Sequence, residues 1–294
     1  MKKTGVALVL SFALFMGACG KSEGDFTLYK DIPDTVECLS DVVYGKGGNT
    51  SLKMDILRPT ARTSEPMPVI VFIHGGSWSG GSMEGMLGSL SGYAESGYLC
   101  ASINYRLSGE AIFPAQIEDC KAAVRFLRAN AMEYNLDPGR IGVWGTSAGG
   151  HLAALLGASN HVPELEGVGG NADYSSEVQA VCNWFGPLDF RSYITYSDSS
   201  VAWLLGGPPQ QNMELAAAAS PVVYLSKSSA PALIMIGNQD KAYKDFYEQG
   251  KAYCELSKDL GIDARLEIIN GEGHGFLELS EYKTVKAFFD KQLE

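Results

Sequence analysis

Residues 68–73 read PVIVFI, and no polar side chain interrupts the run. A strand with one face in water alternates apolar and polar positions, whereas a strand apolar at every position has to be covered on both faces. Residues 98–105 (YLCASINY), 141–144 (IGVW), 178–184 (VQAVCNW), 232–236 (ALIMI) and 264–269 (ARLEII) are further short, β-rich runs. Between them lie longer stretches with helical spacing. In 118–134, Ala122, Phe126, Ala129 and Met132 recur at helical intervals before the stop at Asn135-Leu136-Asp137-Pro138. Helices are also predicted over 148–158, over 245–260, where Gly261 ends the pattern, and over 281–293. Covered strands alternating with helices predict an α/β domain: a mostly parallel central sheet flanked by helices.

Residues 51–57 (SLKMDIL) alternate and predict one more strand, stopped at Arg58-Pro59. Residues 191–226 show no clear strand, and their Trp203-Leu204-Leu205 and the alanines 216–219 suggest short helices. A long stretch of that kind within a compact domain predicts a small cap-like insertion near a site. The chain has 294 residues, within reach of one such domain, here placed at 41–294.

The N-terminus reads as a targeting segment. Two lysines precede an apolar run over 5–16, and Gly17-Ala18-Cys19 follows. A charged start, a short apolar stretch and small residues describe a secretory signal too short to span a bilayer. Cysteine after Met-Gly-Ala resembles a lipoprotein box, which implies a signal peptide over 1–18, lipidation of Cys19 and an exported protein anchored in a bacterial envelope. Residues 19–40 are then a tether and lead-in, beginning with the polar GKSEGD at 20–25. Net charge is −11 and no cluster of Lys and Arg appears. Nucleic acid and anionic membrane surfaces are poor partners for such a chain, so membrane contact is expected only through the lipid. Five cysteines remain, at spacings that match no zinc or redox motif, and Cys100, Cys120 and Cys182 lie in apolar patterns as buried thiols do. Neither a metal nor a cofactor is expected.

Between the strand at 141–144 and the helix at 148–158 stands Gly145-Thr146-Ser147-Ala148-Gly149. Strand, G-x-S-x-G, helix is the context of a nucleophile elbow, where glycines allow the serine a strained backbone and a helix N-terminus points amides at the same spot. A serine hydroxyl needs a base to take its proton. Four histidines are present. His74 opens a glycine turn, His151 lies along the helix from Ser147 and His161 sits in a polar loop, all suited to structural roles. His274, in the flexible GEGHGF after the last strand, is the candidate base. The acid that orients it should follow a strand between the two, and Asp240, just past 232–236, fits that place, with Asp189 and Asp245 as rival loop carboxylates. After PVIVFI comes His74-Gly75-Gly76-Ser77-Trp78. Consecutive glycines let amides approach a ligand, which suits an oxyanion hole made of Gly75, Gly76 and the N–H of Ala148. Trp78, Phe113 and Trp203 are candidate pocket walls.

HGGSW at 74–78, SINYRLS at 102–108, CKAAVRFLRANA at 120–131, GTSAGGHLA at 145–153 and GHGF at 273–276 resemble α/β-hydrolase-fold serine esterases of the hormone-sensitive-lipase-like group. Among these the chain looks most like bacterial feruloyl and acetyl xylan esterases. The resemblance implies the α/β-hydrolase fold, a Ser147–His274–Asp240 triad, and hydrolysis of small-molecule or oligosaccharide esters, with acetyl or feruloyl groups on plant cell-wall fragments as substrates. Ser77 stands where such loops often carry a third glycine, Ile236 where many carry histidine, and a Val-Pro pair is missing after Asp240. An amidase, peptidase or aryl formamidase on the same fold, and a non-catalytic glycan- or partner-binding member, are the competing readings.

Overall fold

The structure, a computed structural model, describes residues 26–61, 63–195 and 199–294. The expected signal peptide and lipidation site, residues 1–18 and Cys19, lie outside the described residues. Eight strands form one sheet: β1 (Val36–Gly47), β2 (Thr50–Pro59), β3 (Met67–Ile73), β4 (Leu99–Ile103), β5 (Leu136–Thr146), β6 (Ala180–Trp184), β7 (Ala232–Gly237) and β8 (Ala264–Ile269). Their order is β1-β2-β4-β3-β5-β6-β7-β8. The β1–β2 and β2–β4 pairs are antiparallel, and every pair from β4–β3 to β7–β8 is parallel.

PVIVFI occupies the middle of that sheet, and Val69 to Ile73 are at most 1% exposed. Each such side chain contributes roughly 1.5–3 kcal/mol on burial. The helices are α1 (Leu87–Glu95), α2 (Ala115–Ala129), α3 (Ala131–Tyr134), α4 (Ala148–Ala158), α5 (Ser199–Leu205), α6 (Met213–Ala218), α7 (Tyr243–Leu260) and α8 (Leu279–Gln292). The two-residue period of β5 sorts them into layers. Gly142 and Trp144 face one side, where a Cβ on Gly142 would lie 2.5 Å from the Phe289 ring of α8, and Trp144 meets Tyr93 of α1 at 5.5 Å. Gly145 faces the other side, against the Gly149 carbonyl of α4. On the first face Tyr93 Oη donates to the Tyr282 carbonyl at 2.8 Å, joining α1 to α8.

Three features differ from the sequence expectation. The lead-in ends in a strand, since β1 begins at Val36, and Phe26 packs edge-on to Tyr93 at 4.8 Å. β1 has an irregular register, with shifts after Leu39 and Val43, which removes the alternation that would mark it in sequence. Helix α1 was not expected: Gly88, Ser91 and Gly92 are buried in it because the backbone of residues 27–30 runs against it. The long helix expected over 118–134 begins at Ala115 and is interrupted at Asn130, whose side-chain amide donates to the Phe126 carbonyl at 2.8 Å. The five described cysteines are free thiols, with Cys100, Cys120 and Cys182 buried. No helix among the described residues is long and apolar enough to cross a membrane.

Candidate active site

The parallel register brings the C-terminal strand ends to one edge of the sheet. Ile73 pairs with Gly145 and Thr146 with Trp184, so the loops after β3, β5 and β6 are neighbours. Gly237 pairs with Ile269, which does the same for the loops after β7 and β8.

Ser147 takes φ 53° and ψ −118°, a conformation L-residues avoid at a cost of order 1–2 kcal/mol. Its amide donates to the Trp184 carbonyl at 2.8 Å, and its carbonyl accepts from the His151 amide at 3.0 Å. The flanking glycines are required by close backbone approach. A Cβ on Gly145 would sit 2.1 Å from the Gly149 carbonyl oxygen, and one on Gly149 would sit 2.0 Å from that of Ile73. The turn is as tight as it is because helix α4 starts directly over the ends of β3 and β5.

The other two polar partners arrive on loops stitched together. Asn238 N–H donates to the Ile269 carbonyl at 3.1 Å and Gln239 N–H to that of Glu272 at 2.8 Å. A Cβ on Gly237 would meet the Glu272 oxygen at 2.3 Å, so that strand end also has to be glycine. This stitching sets His274 between Asp240 and Ser147. Its Nδ1 lies 2.5 Å from Asp240 Oδ2 and its Nε2 2.8 Å from Ser147 Oγ. A carboxylate accepts, so Nδ1 carries the proton and Nε2 is left as the acceptor for the serine hydroxyl. The Phe185 ring, 4.6 Å away at 51°, and the Phe246 ring, 6.0 Å away at 34°, hold the imidazole plane.

The Asp240 side chain is 3% exposed, against 44% for that of His274. Burial pushes the Asp240 carboxyl up, but hydrogen bonds from His274 and from the Ala242 amide outweigh it and hold the group below its ordinary value. An ionised, buried carboxylate thus faces a half-exposed imidazole. The rival carboxylates are elsewhere: Asp189 is engaged by Arg191 at 2.8 Å, and Asp245 lies in the first turn of α7.

A cleft of about 500 Å³ opens over Ser147 and His274. From the loop after β3 it is reached by Ser77 and Trp78. Gly75 lies behind them against the elbow, where a Cβ would come 3.3 Å from Ser147 Cβ, and Gly76 has φ 119°. Ala148, the first residue of α4, presents an amide that has no partner within its own helix. Among the candidate walls, Trp78 lines the cleft. Phe113 does not: it is 2% exposed in the core, its amide donating to the Leu204 carbonyl at 2.8 Å. Trp203 does not either, being 60% exposed on α5, whose Ser200 and Val201 are the residues that reach the cleft. Helical spacing explains the swap, since Trp203 is rotated away from the face that carries Val201. The segment 191–226 thus supplies part of a wall, through short helices.

The remaining histidines take structural places. His74 is buried, stacked on Tyr105 at 4.5 Å, and burial lowers its pKa. His161 is exposed beside Glu177. Phe185, Phe246 and Gln239 at the site were missed in sequence. Each carries a weak signal only, a position just after a strand or in the first turns of a helix. A second groove of about 440 Å³ between α7 and β8 is lined by Lys251, Cys254 and Asp263, with no histidine or serine in it.

Residues 54–252 match the family model described as BD-FAE, about two thirds of the chain. The chain belongs to the BD-FAE family. This BD-FAE protein is 31% identical over 227 residues to the esterase LipQ of Mycobacterium tuberculosis, covering 76% of this chain and 53% of LipQ. It is 32% identical over 207 residues to the probable carboxylic ester hydrolase LipM of the same organism, covering 68% and 47%. The chain therefore spans about half the length of these curated relatives. Among solved structures, the truncated form of a carbohydrate esterase from gut microbiota superposes with a TM-score of 0.79 at 31% identity, covering 88% of this chain and 97% of that one. Esterase 2 of Thermogutta terrifontis with bound propionate gives 0.70 at 25% identity, covering 88% and 92%. The mostly parallel eight-stranded sheet of the BD-FAE protein is the α/β-hydrolase fold that the motifs at 74–78, 145–153 and 273–276 implied.

Proposed function

We propose that this BD-FAE protein is a serine carboxylesterase in which Ser147, His274 and Asp240 form the catalytic triad. The observation that carries the reading is one imidazole bonded at both nitrogens, Nε2 accepting from Ser147 Oγ at 2.8 Å and Nδ1 donating to Asp240 Oδ2 at 2.5 Å. His274 Nε2 takes the hydroxyl proton as Ser147 Oγ attacks the ester carbonyl carbon. Asp240 keeps the imidazole in the reactive tautomer and offsets the charge of the imidazolium that forms. The tetrahedral oxyanion is received by the Ala148 amide and by amides of the turn through Gly75, Gly76 and Ser77, each donor being worth on the order of 3 kcal/mol in such sites. The imidazolium then returns its proton to the leaving alcohol. Water, deprotonated by the same imidazole, hydrolyses the acyl-serine and restores the free hydroxyl.

Likeness supports the substrate class. The neighbours with the higher TM-scores include the carbohydrate esterase from gut microbiota and a bifunctional GH43-CE protein of Bacteroides eggerthii, the latter at 0.77 and 32% identity. Acetyl or feruloyl esters on plant cell-wall oligosaccharides are the proposed substrates. The Lys-rich start, apolar run and Cys19 support an exported enzyme tethered by lipid, which would place it where such fragments arrive.

The test is hydrolysis of paired acetyl and feruloyl esters, on xylo-oligosaccharide and on simple aryl carriers, by the wild type and by Ser147→Ala. Serine-dependent release from the sugar esters supports the full reading, and the preferred acyl group names the activity. Turnover of the aryl esters alone keeps the esterase and discards the glycan. Turnover only of amides, or none that depends on Ser147, discards the esterase. Retention of labelled palmitate by wild type and its loss in Cys19→Ala tests the anchor.

A further inference from the structure

On α4, packed against Trp78, a second imidazole is fully engaged. His151 lies four residues after Ser147 and is 0% exposed. Its ring stands edge-on to Trp78 at 5.4 Å and to Phe190 at 4.8 Å. Nε2 is 2.7 Å from the Ala219 carbonyl and Nδ1 is 3.1 Å from Trp78 Nε1. Both partners fix the tautomer. A carbonyl only accepts, so Nε2 carries the proton, and an indole N–H only donates, so Nδ1 must be the lone-pair nitrogen.

Trp78 has reason to need such an anchor. Gly76, Ser77 and Trp78 have φ values of 119°, 54° and 56°, three successive left-handed residues of which two carry side chains. Strained backbone persists only where the surroundings over-determine it. The Trp78 carbonyl accepts from the Ser108 amide at 2.7 Å, and the indole bond to His151 is a second, independent tie. The His151 imidazole also reaches the Ala219 carbonyl in the segment 191–226, whose Ser200 and Val201 contribute to the cleft. One side chain on the nucleophile's own helix thus joins the elbow, the oxyanion loop and the cap-like segment.

We propose that His151 is a positioning residue: by accepting the Trp78 indole N–H it fixes one wall of the cleft over Ser147 and so sets how tightly the ester is held. The proposal rests on the esterase reading for its kinetics and on the hydrogen bond alone for its spectroscopy. His151→Phe keeps the ring volume and removes both polar atoms, and Trp78→Phe removes the same bond from the other end. With p-nitrophenyl acetate, each should raise KM about fivefold to tenfold, the worth of one buried neutral hydrogen bond. kcat should change by less than about twofold. The double variant should be no worse than the poorer single, because both remove one interaction. His151→Asn, which retains an acceptor near the Nδ1 position, should recover part of the loss. Tryptophan emission should shift between wild type and His151→Phe, and that shift should vanish in the Trp78→Phe background. Should His151→Phe not fold, His151→Leu, which also lacks an acceptor, replaces it in the same cycle and in the emission comparison. Multiplying effects in the double variant, a fall in kcat at unchanged KM, or an emission shift that survives without Trp78 would overturn the proposal. If the wild type shows no Ser147-dependent turnover, the esterase reading falls, and the emission comparison still decides whether His151 holds Trp78.

Discussion

His274 and His151 both have each ring nitrogen within hydrogen-bond distance of a partner, and both are one step from Ser147, the first through its hydroxyl and the second through its carbonyl. Their surroundings differ in two respects. The His274 side chain is 44% exposed and faces a buried carboxylate, so a proton gained there is compensated by charge and by water. His151 is wholly buried between rings, with a carbonyl and an indole as partners, and burial lowers its pKa to about 4 against the weaker opposing effect of the Ala219 carbonyl. The residue type is the same in both regions. Compensation of the charged form makes the first suited to carry a proton and the second suited to stay neutral and hold a neighbour in place.

The largest break in that contrast comes from removing the atom His274 serves. Ser147→Ala should lower kcat by about 10⁴-fold or more on any ester the wild type turns over, with an unchanged melting temperature. Retained turnover in a folded Ser147→Ala would discard the triad. Asp240→Asn makes the His274 region resemble the His151 region in charge, since a neutral amide no longer compensates the imidazolium; unlike the partners of His151, it favours no single tautomer. It should cost about 10³-fold to 10⁴-fold in kcat with little change in KM. A loss below about tenfold would mean that another carboxylate does the compensating.

Next in size is a change that acts on both imidazoles through their shared reference. Gly149→Ala places a Cβ 2.0 Å from the Ile73 carbonyl, where the obstacle is backbone in the central strand and cannot turn aside. Destabilisation of about 3 kcal/mol or more is expected in urea or thermal unfolding, together with loss of turnover. A variant of wild-type stability would show that α4 can shift off β3 without harm. This glycine also shows what was legible in sequence. Gly-x-Ser-x-Gly between a strand and a helix records a local steric demand, so its residues could be read without the fold. The partners of Ser147 were legible by a different route: with four histidines in the chain, position after the last strand singled out His274. What depends on pairing at a distance was hidden. The irregular β1 has no period to read, Phe185 and Phe246 meet His274 only through the sheet, and the bond between His151 and Trp78 joins residues 73 apart.

Acid should separate the two regions by pH window. Unfolded, His151 binds a proton near its ordinary value of 6.5, and folded it does so only near 4. The unfolded chain therefore holds more protons between those values, so stability rises with pH there. Its contribution is complete above about pH 6.5 and is lost as pH falls towards 4, by at most about 3 kcal/mol. Asp240, held below its ordinary value of 3.8, contributes stability that is present above that value and lost only at lower pH. Urea unfolding of the wild type and of His151→Phe at pH 7 and pH 4.5 should show a steeper decline for the wild type. Parallel declines would mean that the buried imidazole does not carry the acid sensitivity.

The smallest effect concerns rings that are not tied to the cleft. Trp78 is anchored through its indole and lines the cleft, whereas Trp203 is 60% exposed and lies outside it. Trp203→Ala should therefore leave KM and kcat for p-nitrophenyl acetate within about twofold and stability within about 0.5 kcal/mol. Phe113→Ala, equally absent from the cleft but 2% exposed, should instead cost about 3–5 kcal/mol of stability through the cavity it leaves. Both follow from one argument, that burial decides stability and the lining of the cleft decides KM. A rise in KM for Trp203→Ala confined to feruloyl oligosaccharides, with p-nitrophenyl acetate unaffected, would extend the binding surface outward along α5 beyond Val201. A rise for the small ester as well would break the argument, because it would put Trp203 at the reacting end of a cleft it does not line.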